Sequence, residues 1–395
     1  MADPTPLRLG VAGLGRAFSV MLPTLTRHPA VRLVAAADTR AEARKRFAGE
    51  FSAKTHETVA ALCADPVVDA VYVATPHQFH REHATQAAQA GKHLLIEKPM
   101  ALTIEDCTAI VDAARRAGVH VVVGHSHSFD APVHHLRKLI ESGAFGKLRM
   151  INALNYTDYL YRPRRPEELD TSKGGGAVFN QAAHQVDIVR LIAGAAVKSV
   201  RAVTGSWDSK RPTEGAYAAL LTFADGAFAS LTYSGYAHFD SDELMGWIGE
   251  LGQEKDAGRH GAARRALSGV APRDEAAAKA ARNYGGTSYR AASDPAPWHE
   301  HFGLVVVTCD KGDLRPMPNG VMVYAGDEKR LEPLGKPAIP RAAVIDELCD
   351  AIEAVRAPLH DARWAQRKHR DGESVGPREA SPFGRPATVP RTPPP

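Results

Sequence analysis

Short apolar runs alternate with stretches of helical period over the first 130 residues. Residues 7–12, 31–37, 69–75, 93–96 and 119–124 read as strands with little polar face. Between them, a run from Ala17 and then residues 40–51, 57–63, 80–90 and 105–117 read as helices, with Gly91 and Gly118 as stops for the last two. Strands buried on both faces and strictly alternating with helices predict a parallel, doubly wound sheet. The pattern then changes. Residues 132–142 read as a helix, and 148–156, 197–207, 215–223, 227–236, 303–308 and 321–324 as strands, with Asp225-Gly226 as a hairpin signal. Residues 178–192 and 340–356 read as helices. The expected fold class is α/β: a dinucleotide-type domain over 1–130 and an α+β domain over 131–364. Residues 241–300 interrupt the second domain, too long for an ordinary loop and partly helical at 276–282. They are expected to be a lid, an interface element or partly disordered. Residues 365–395 are polar, basic and proline-rich, and are expected to be disordered. They are either a natural tail or the product of a frame change near Trp364.

Composition changes the picture little. A 44% hydrophobic and 24% charged chain of 395 residues belongs with globular proteins of two domains. No apolar run reaches the ~18 residues of a membrane span, and the N-terminus lacks a basic-then-apolar leader. Cys63, Cys107, Cys309 and Cys349 match no CxxC or zinc spacing, so reduced thiols, a cytoplasmic location and no metal are expected. Most of the +4 net charge sits in the tail, and no basic helix suggests nucleic acid.

The candidate chemistry begins at Gly13-Leu14-Gly15-Arg16-Ala17-Phe18, between a strand and a helix. Gly13 permits a tight turn, and Gly15 lets a pyrophosphate approach the helix N-terminus. Phe18 stands where a third glycine is usual, which either spreads helix and strand or sets the ring between them. The second strand ends in Asp38, placed to bind ribose hydroxyls of NAD; Arg40 leaves NADP open. Ligands of such sheets gather at carboxyl ends of strands, where this chain has Thr75, His77, His80, Glu97, Lys98 and His125-Ser126-His127. In Gly174–Asp187 (GGGAVFNQAAHQVD), His184 and Asp187 lie three apart. On a helix they share a face, as in an acid/base pair whose carboxylate orients the imidazole. The loop with Tyr156, Arg162, Arg164 and Arg165 offers guanidinium forks to carboxylates.

In this order, the GxG start, ATPxxxH-like residues 74–80, Glu97-Lys98-Pro99 and the GGGxxxxxxxHxxD segment resemble the Gfo/Idh/MocA oxidoreductases over roughly residues 7–364. The resemblance implies an N-terminal Rossmann domain and a C-terminal domain with a large, mostly antiparallel sheet that often mediates homo-oligomers. It implies that Lys98 and His184 act at the substrate, with Asp187 as the paired carboxylate. Two departures stand out. Asn180 replaces the family's usual aspartate four residues before the histidine, and His125-Ser126-His127-Ser128 stands where arginine is often found. The segments NYTDYLYRPRRPEELDT, VFNQAAHQVDIVR, EGAYAALLTF and SLTYSGYAHFDSDE look like the 4,5-dihydroxyphthalate (phthalate cis-dihydrodiol) dehydrogenases of the family. That likeness implies an anionic cyclic cis-diol oxidised with NAD(P). His127, Tyr156, Arg162, Arg164, Arg165, Asn180 and His184 are the expected substrate contacts. A sugar or inositol dehydrogenase, or a non-catalytic NAD(P)-binding regulator, are the competing readings.

Overall fold

The computed structural model describes residues 5–124, 127–290, 296–354 and 356–373; His125 and Ser126, Ser293-Asp294-Pro295 and the tail beyond 373 lie outside them. Six strands form the first sheet: β1 Leu7–Ala12, β2 Val31–Ala37, β3 Lys54–His56, β4 Ala70–Val73, β5 His93–Ile96 and β6 Val121–Val123. All pair in parallel, in the order β3-β2-β1-β4-β5-β6. Helices α1 Arg16–Arg27, α2 Ala41–Phe51, α3 Val59–Ala64, α4 His80–Gln89 and α5 Ile104–Ala117 make the crossovers. Their apolar faces close two cores, one on each side of the sheet. The strand order reverses between β1 and β4, which opens a crevice at their carboxyl ends. Gly13 closes the turn after β1 with φ 96°, and a Cβ there would lie 2.8 Å from the carbonyl oxygen of Ala74. Any other residue would force the two strand ends apart.

After α6 Ala131–Glu141 the chain enters the second sheet with β7 Leu148–Tyr156. Helix α7 Ala183–Ala193 precedes β8 Val197–Gly205, β9 Ala216–Phe223 and β10 Phe228–Ser234. Short helices α8 Ala262–Ser268 and α9 Glu275–Ala281 interrupt the sheet before β11 Leu304–Cys309, β12 Gly312–Met317, β13 Gly320–Ala325 and β14 Glu328–Pro333. The order is β14-β13-β12-β11-β7-β10-β9-β8, antiparallel except for β7 with β10. Odd-numbered residues of β7 from Ile151 onward, and of β9 and β10, face inward and form a core that includes Tyr217, Leu221, Leu231 and Tyr233 with residues of α6 and α7. Helices α10 Ala342–Glu353 and α11 Ala362–Glu373 return the chain to the first sheet. No described helix is long and apolar enough to cross a membrane.

Three expectations are corrected. The interruption at 241–300 is not a detached lid where it is described. Tyr284 is fully buried against Phe18 and Phe47, with ring centroids 5.1 and 6.5 Å away. Phe18, in the third-glycine position, is therefore core for a segment arriving from the second domain. The expected disorder from residue 365 onward is also wrong up to residue 373. Helix α11 begins at Ala362, and its buried Ala362 and Ala365 join the α4–α5 core. Its apolar residues, Ala362, Trp364 and Ala365, are confined to its start, so docking rather than a full-length apolar stripe fixes it. Finally, β3, β12 and β14 were not anticipated: they are short or polar (KTH, GDLRPM, EKRLEP) and gain order from pairing with neighbours.

Candidate active site

The crevice at the β1/β4 reversal is lined first by local bonds. Leu14 N donates to Asp38 Oδ2 at 2.8 Å, and Arg40 N and Nε donate to Asp38 Oδ1 at 2.8 and 3.0 Å. Arg40 also donates to the carbonyl oxygens of Leu14 (2.6 Å) and Tyr284 (3.1 Å). The Arg40 guanidinium is thus committed to Asp38 and two carbonyls, rather than extended toward a 2′-phosphate. At Gly15, which caps α1, a Cβ would meet nothing within 4 Å. Open space at a helix N-terminus, beside an acidic residue closing β2, fits a dinucleotide. Arg16 opens α1 on the exposed side. Desolvation and the Arg282, Arg162 and Arg341 guanidiniums press its pKa below the ordinary value, so guanidiniums from both sheets' loops converge on this crevice.

At the next strand ends, Tyr72 donates to the buried carboxylate of Glu97, whose pKa burial raises. His80 is fully buried, and its ring bridges the carbonyl oxygens of Thr75 (2.8 Å) and Pro99 (2.9 Å). Two carbonyl acceptors favour the protonated ring, but burial dominates and lowers its pKa. His80 is therefore a bolt between two loops and not a cofactor contact, which corrects the expectation for it. Thr75 Oγ1 lies 3.0 Å from His83 Nδ1. His77 packs edge-on to His80; burial, followed by the His80 and Lys98 charges, holds it well below the usual histidine range.

The second sheet supplies the opposite wall. Gly176 (φ 82°) brings the chain against Glu214, whose carboxylate accepts from Val178 N at 3.0 Å. The chain then makes a widened π turn over Val178–Ala182 before α7 begins. Such turns re-aim carbonyl groups. Here the carbonyl oxygen of Asn180 accepts from Lys98 Nζ at 2.7 Å, which ties the loop after β5 to the entrance of α7. The Asn180 side chain turns the other way, onto the carbonyl oxygens of Gly176 (2.9 Å) and Gly174 (3.2 Å). Its expected substrate contact is replaced by a role in the glycine loop.

His184 is buried, with the ring of His127 edge-on at 4.9 Å and Phe302 at 4.8 Å. His127 Nδ1 lies 2.8 Å from Asp130 Oδ2. Burial opposes its charge, but Asp130 and then Glu300 outweigh that and raise its pKa. His127, Asp130 and Glu300 place potential ligand atoms within 4.8 Å of one another, yet His127 already bonds Asp130 and Glu300 pairs with Arg341 at 2.6 Å. Asp187 is held away from the surface by Ser128, which donates to Oδ2, and by Trp364 Nε1, 2.7 Å from Oδ1. The sequence assigned this carboxylate to His184 alone.

The arginine loop divides. Arg164 stacks on Tyr159 at 3.9 Å and reaches Glu168 at 3.7 Å, so it braces the loop. Arg165 pairs with Glu167 (3.1 Å) and Glu168 (3.4 Å). Arg162, with nearly half its side chain exposed, bonds Asp158 at 2.7 Å. Tyr156 is on the wrong face. Period-two alternation on β7 sends Asn155 inward and Tyr156 outward, into an open pocket of ≈490 Å³ with Trp207, Tyr236, Phe239 and Arg264.

Ser128, His360, Glu347, Asp130, Glu300, Arg341 and Trp364 were not anticipated as a group. They come from four stretches of the chain, residues 128–130, 300, 341–347 and 360–364, that only the fold brings together. Ser128, His360 and Glu347 have the bonds of a nucleophilic triad, at 3.0 and 2.8 Å. However, Ser128 gives its one hydrogen to Asp187 and is fully buried, so it presents no nucleophile.

Comparison with known proteins agrees with this geometry. Residues 7–125 match the oxidoreductase family with NAD-binding Rossmann fold, and residues 133–253 match the GFO/IDH/MocA C-terminal domain. The 1-carboxy-3-chloro-3,4-dihydroxycyclohexa-1,5-diene dehydrogenase of Comamonas testosteroni is 48% identical over 362 residues, 91% of each chain. A crystal structure from Bordetella bronchiseptica RB50, described as a candidate dehydrogenase, is 44% identical with TM-score 0.89, over 94% of this chain and 97% of that one. Levoglucosan dehydrogenase with NADH and levoglucosan shares the fold at 19% identity, with TM-score 0.69 over 94% and 96% of the two chains.

Proposed function

Because the chain belongs to the Gfo/Idh/MocA family of NAD-dependent oxidoreductases, we propose that it dehydrogenates a carboxylated cyclohexadiene cis-diol to the corresponding catechol. The observation that carries this reading is the meeting of Lys98 with the entrance of the His184 helix, opposite the α1 loop. The name of the Comamonas relative supports the substrate class. Arg162 supports a carboxylate contact, since its guanidinium is nearly half exposed although it bonds Asp158, whereas Arg164 is stacked on Tyr159 and Arg165 lies between Glu167 and Glu168.

Gly13, Gly15, Asp38 and the α1 N-terminus would hold the cofactor, and bound NAD supplies the hydride acceptor. The remaining work falls to the chain. His184, in a pocket closed by Phe302 and His127, takes the proton of the reacting hydroxyl as general base. Lys98, fixed through Asn180 O, directs its ammonium donors at the same oxygen and stabilises the negative charge that develops there. Arg162 holds the carboxylate. The ketone so formed enolises to the aromatic catechol, which draws the reaction forward. The commitment of Arg40 to Asp38 supports NAD over NADP. The partly apolar outer face of the second sheet, with Leu220 and Phe228 exposed, supports a homo-oligomer. The buried, reduced thiols support a cytoplasmic site of action.

The test is NAD reduction, followed by nicotinamide absorbance, with carboxylated dihydrodiols, uncharged dihydrodiols, inositols and sugars. Turnover should be confined to the carboxylated dihydrodiols, and Arg162→Ala should raise KM for them about tenfold or more. Equal turnover of neutral polyols would transfer the protein to the sugar-type branch, and tight NAD binding without any turnover would make it a regulator.

A further inference from the structure

The Asp187 carboxylate is fully buried one turn beyond His184 on α7, yet both of its oxygens are held by residues from other parts of the chain. Ser128 donates to Oδ2, and Trp364 Nε1 donates to Oδ1 at 2.7 Å. Ser128 Oγ lies 3.0 Å from His360 Nε2. His360 in turn is held by Glu347, through Nδ1 at 2.8 Å and through its backbone N–H at 2.6 Å. Phe129 covers the His360 ring at 3.8 Å. Arg190, two residues beyond Ile188 on the same helix, lies 4.3 Å from the Trp364 ring and donates to its carbonyl oxygen at 3.2 Å.

This wall is more polar than packing requires. A helix that only needed anchoring is served by apolar side chains, whereas each buried carboxylate, imidazole and hydroxyl costs desolvation. The hydrogen inventory gives the bonds a direction. Ser128 has one hydrogen and gives it to Asp187; its oxygen then accepts from His360 Nε2–H, which, with Nδ1 set against the Glu347 carboxylate, requires hydrogens on both ring nitrogens. The Trp364 indole can only donate. Both chains of donors therefore end on Asp187 and fix an anionic carboxylate beside the base. The other polar side chains at the start of this helix, Asn180, Gln181 and Gln185, are amides and cannot carry charge.

We propose that Trp364 and His360, on the C-terminal segment, are positioning residues for the acid/base helix: Trp364 directly, and His360 through Ser128, orient the Asp187 carboxylate that favours the protonated form of His184. The proposal rests on the reading of His184 as the base. The other charged or titratable groups facing this pair are Lys98 in the loop after β5, His127 with Asp130 and Glu300, His134 on α6, Arg190 on α7, and His360 with Glu347 of α10. None of them is altered in the variants below.

The test uses the full chain with Trp364→Phe, which keeps a ring for Arg190 but removes the N–H donor, and Ser128→Ala, which removes the second donor. Both should lower kcat about tenfold or more, leave NAD affinity unchanged and melt close to wild type. In spectra of the ¹⁵N-histidine-labelled protein, His184 should titrate at lower pH in each. Unchanged kcat and an unmoved His184 titration overturn the proposal. So does a loss of kcat matched by loss of NAD affinity and melting temperature in both variants, which is the signature of packing alone. If Trp364→Phe fails to fold, Ser128→Ala decides by the same readouts. If the wild type oxidises no diol, the functional reading fails, while the His184 titration still decides the proposal.

Discussion

The loop after β1 and the entrance of α7 face one crevice, but they are assembled over different distances along the chain. In the loop, Gly13 N bonds Ala37 O, and Leu14, Asp38 and Arg40 bond one another, with the carbonyl oxygen of Tyr284 added from the second domain. At α7, Lys98 comes from the loop after β5, Ser128 from the loop before α6, Glu214 from the turn into β9 and Trp364 from the C-terminal helix. The first structure is a local object whose glycines and acid can be found by spacing. The second exists only once both sheets and the last helix have docked. Binding and chemistry should therefore respond to different substitutions.

The largest effects are expected on the α7 side. His184→Ala should lower kcat by about 10²–10⁴-fold, and Lys98→Met by about 10²–10³-fold, both with NAD affinity by calorimetry near wild type. Near-normal turnover in Lys98→Met would remove that residue from the mechanism. A loss of NAD affinity in His184→Ala would merge the two regions and break the contrast. A smaller effect with the opposite pattern is expected from Gly13→Val. A Cβ 2.8 Å from Ala74 O at φ 96° adds strain of about 1–3 kcal/mol. It should weaken NAD binding and lower the melting temperature, while the pH dependence of residual kcat stays as in wild type.

The smallest expected effect sharpens the contrast through pH. Glu168 ties the arginine loop to α9 through Lys279 and Arg164. Burial opposes its charge, but Lys279 and then Arg164 outweigh this and hold its carboxyl down to about 2, against 4.5 ordinarily. The folded pKa is depressed, so this stabilisation is present above the unfolded value and is lost as pH falls from about 4.5 toward 2. It is worth roughly 1–2 kcal/mol for side chains mostly out of water. Glu168→Gln should flatten melting temperature against pH over that window. An unchanged slope would show that the tie contributes nothing.

Much of the first sheet was legible. The runs at 7–12, 31–37 and 93–96 coincide with β1, β2 and β5 because a strand buried on both faces needs an unbroken apolar run. The second sheet was less so. Strand β14 is polar because it is an edge, and β12 contains Pro316 and Asp313. Tyr156 was assigned to the crevice although alternation along β7, once Asn155 is known to face inward, sends it to the other side. The face could not be chosen before the sheet's partner was known. Arg164 and Arg165 were read as ligands because a sequence shows charge but not what neutralises it.

By itself the sequence determined the doubly wound sheet, the glycine turn with Asp38, and the presence of Lys98 and His184 at strand and helix ends. Each of these depends on periodicity or on contacts a few residues apart. Tertiary structure alone decided that Asn180 offers Lys98 its backbone carbonyl, that Asp187 answers to Ser128 and Trp364, and that polar residues after Trp364 continue a helix. These depend on which buried polar groups must find partners when distant segments pack, and that requirement arises only when water is excluded.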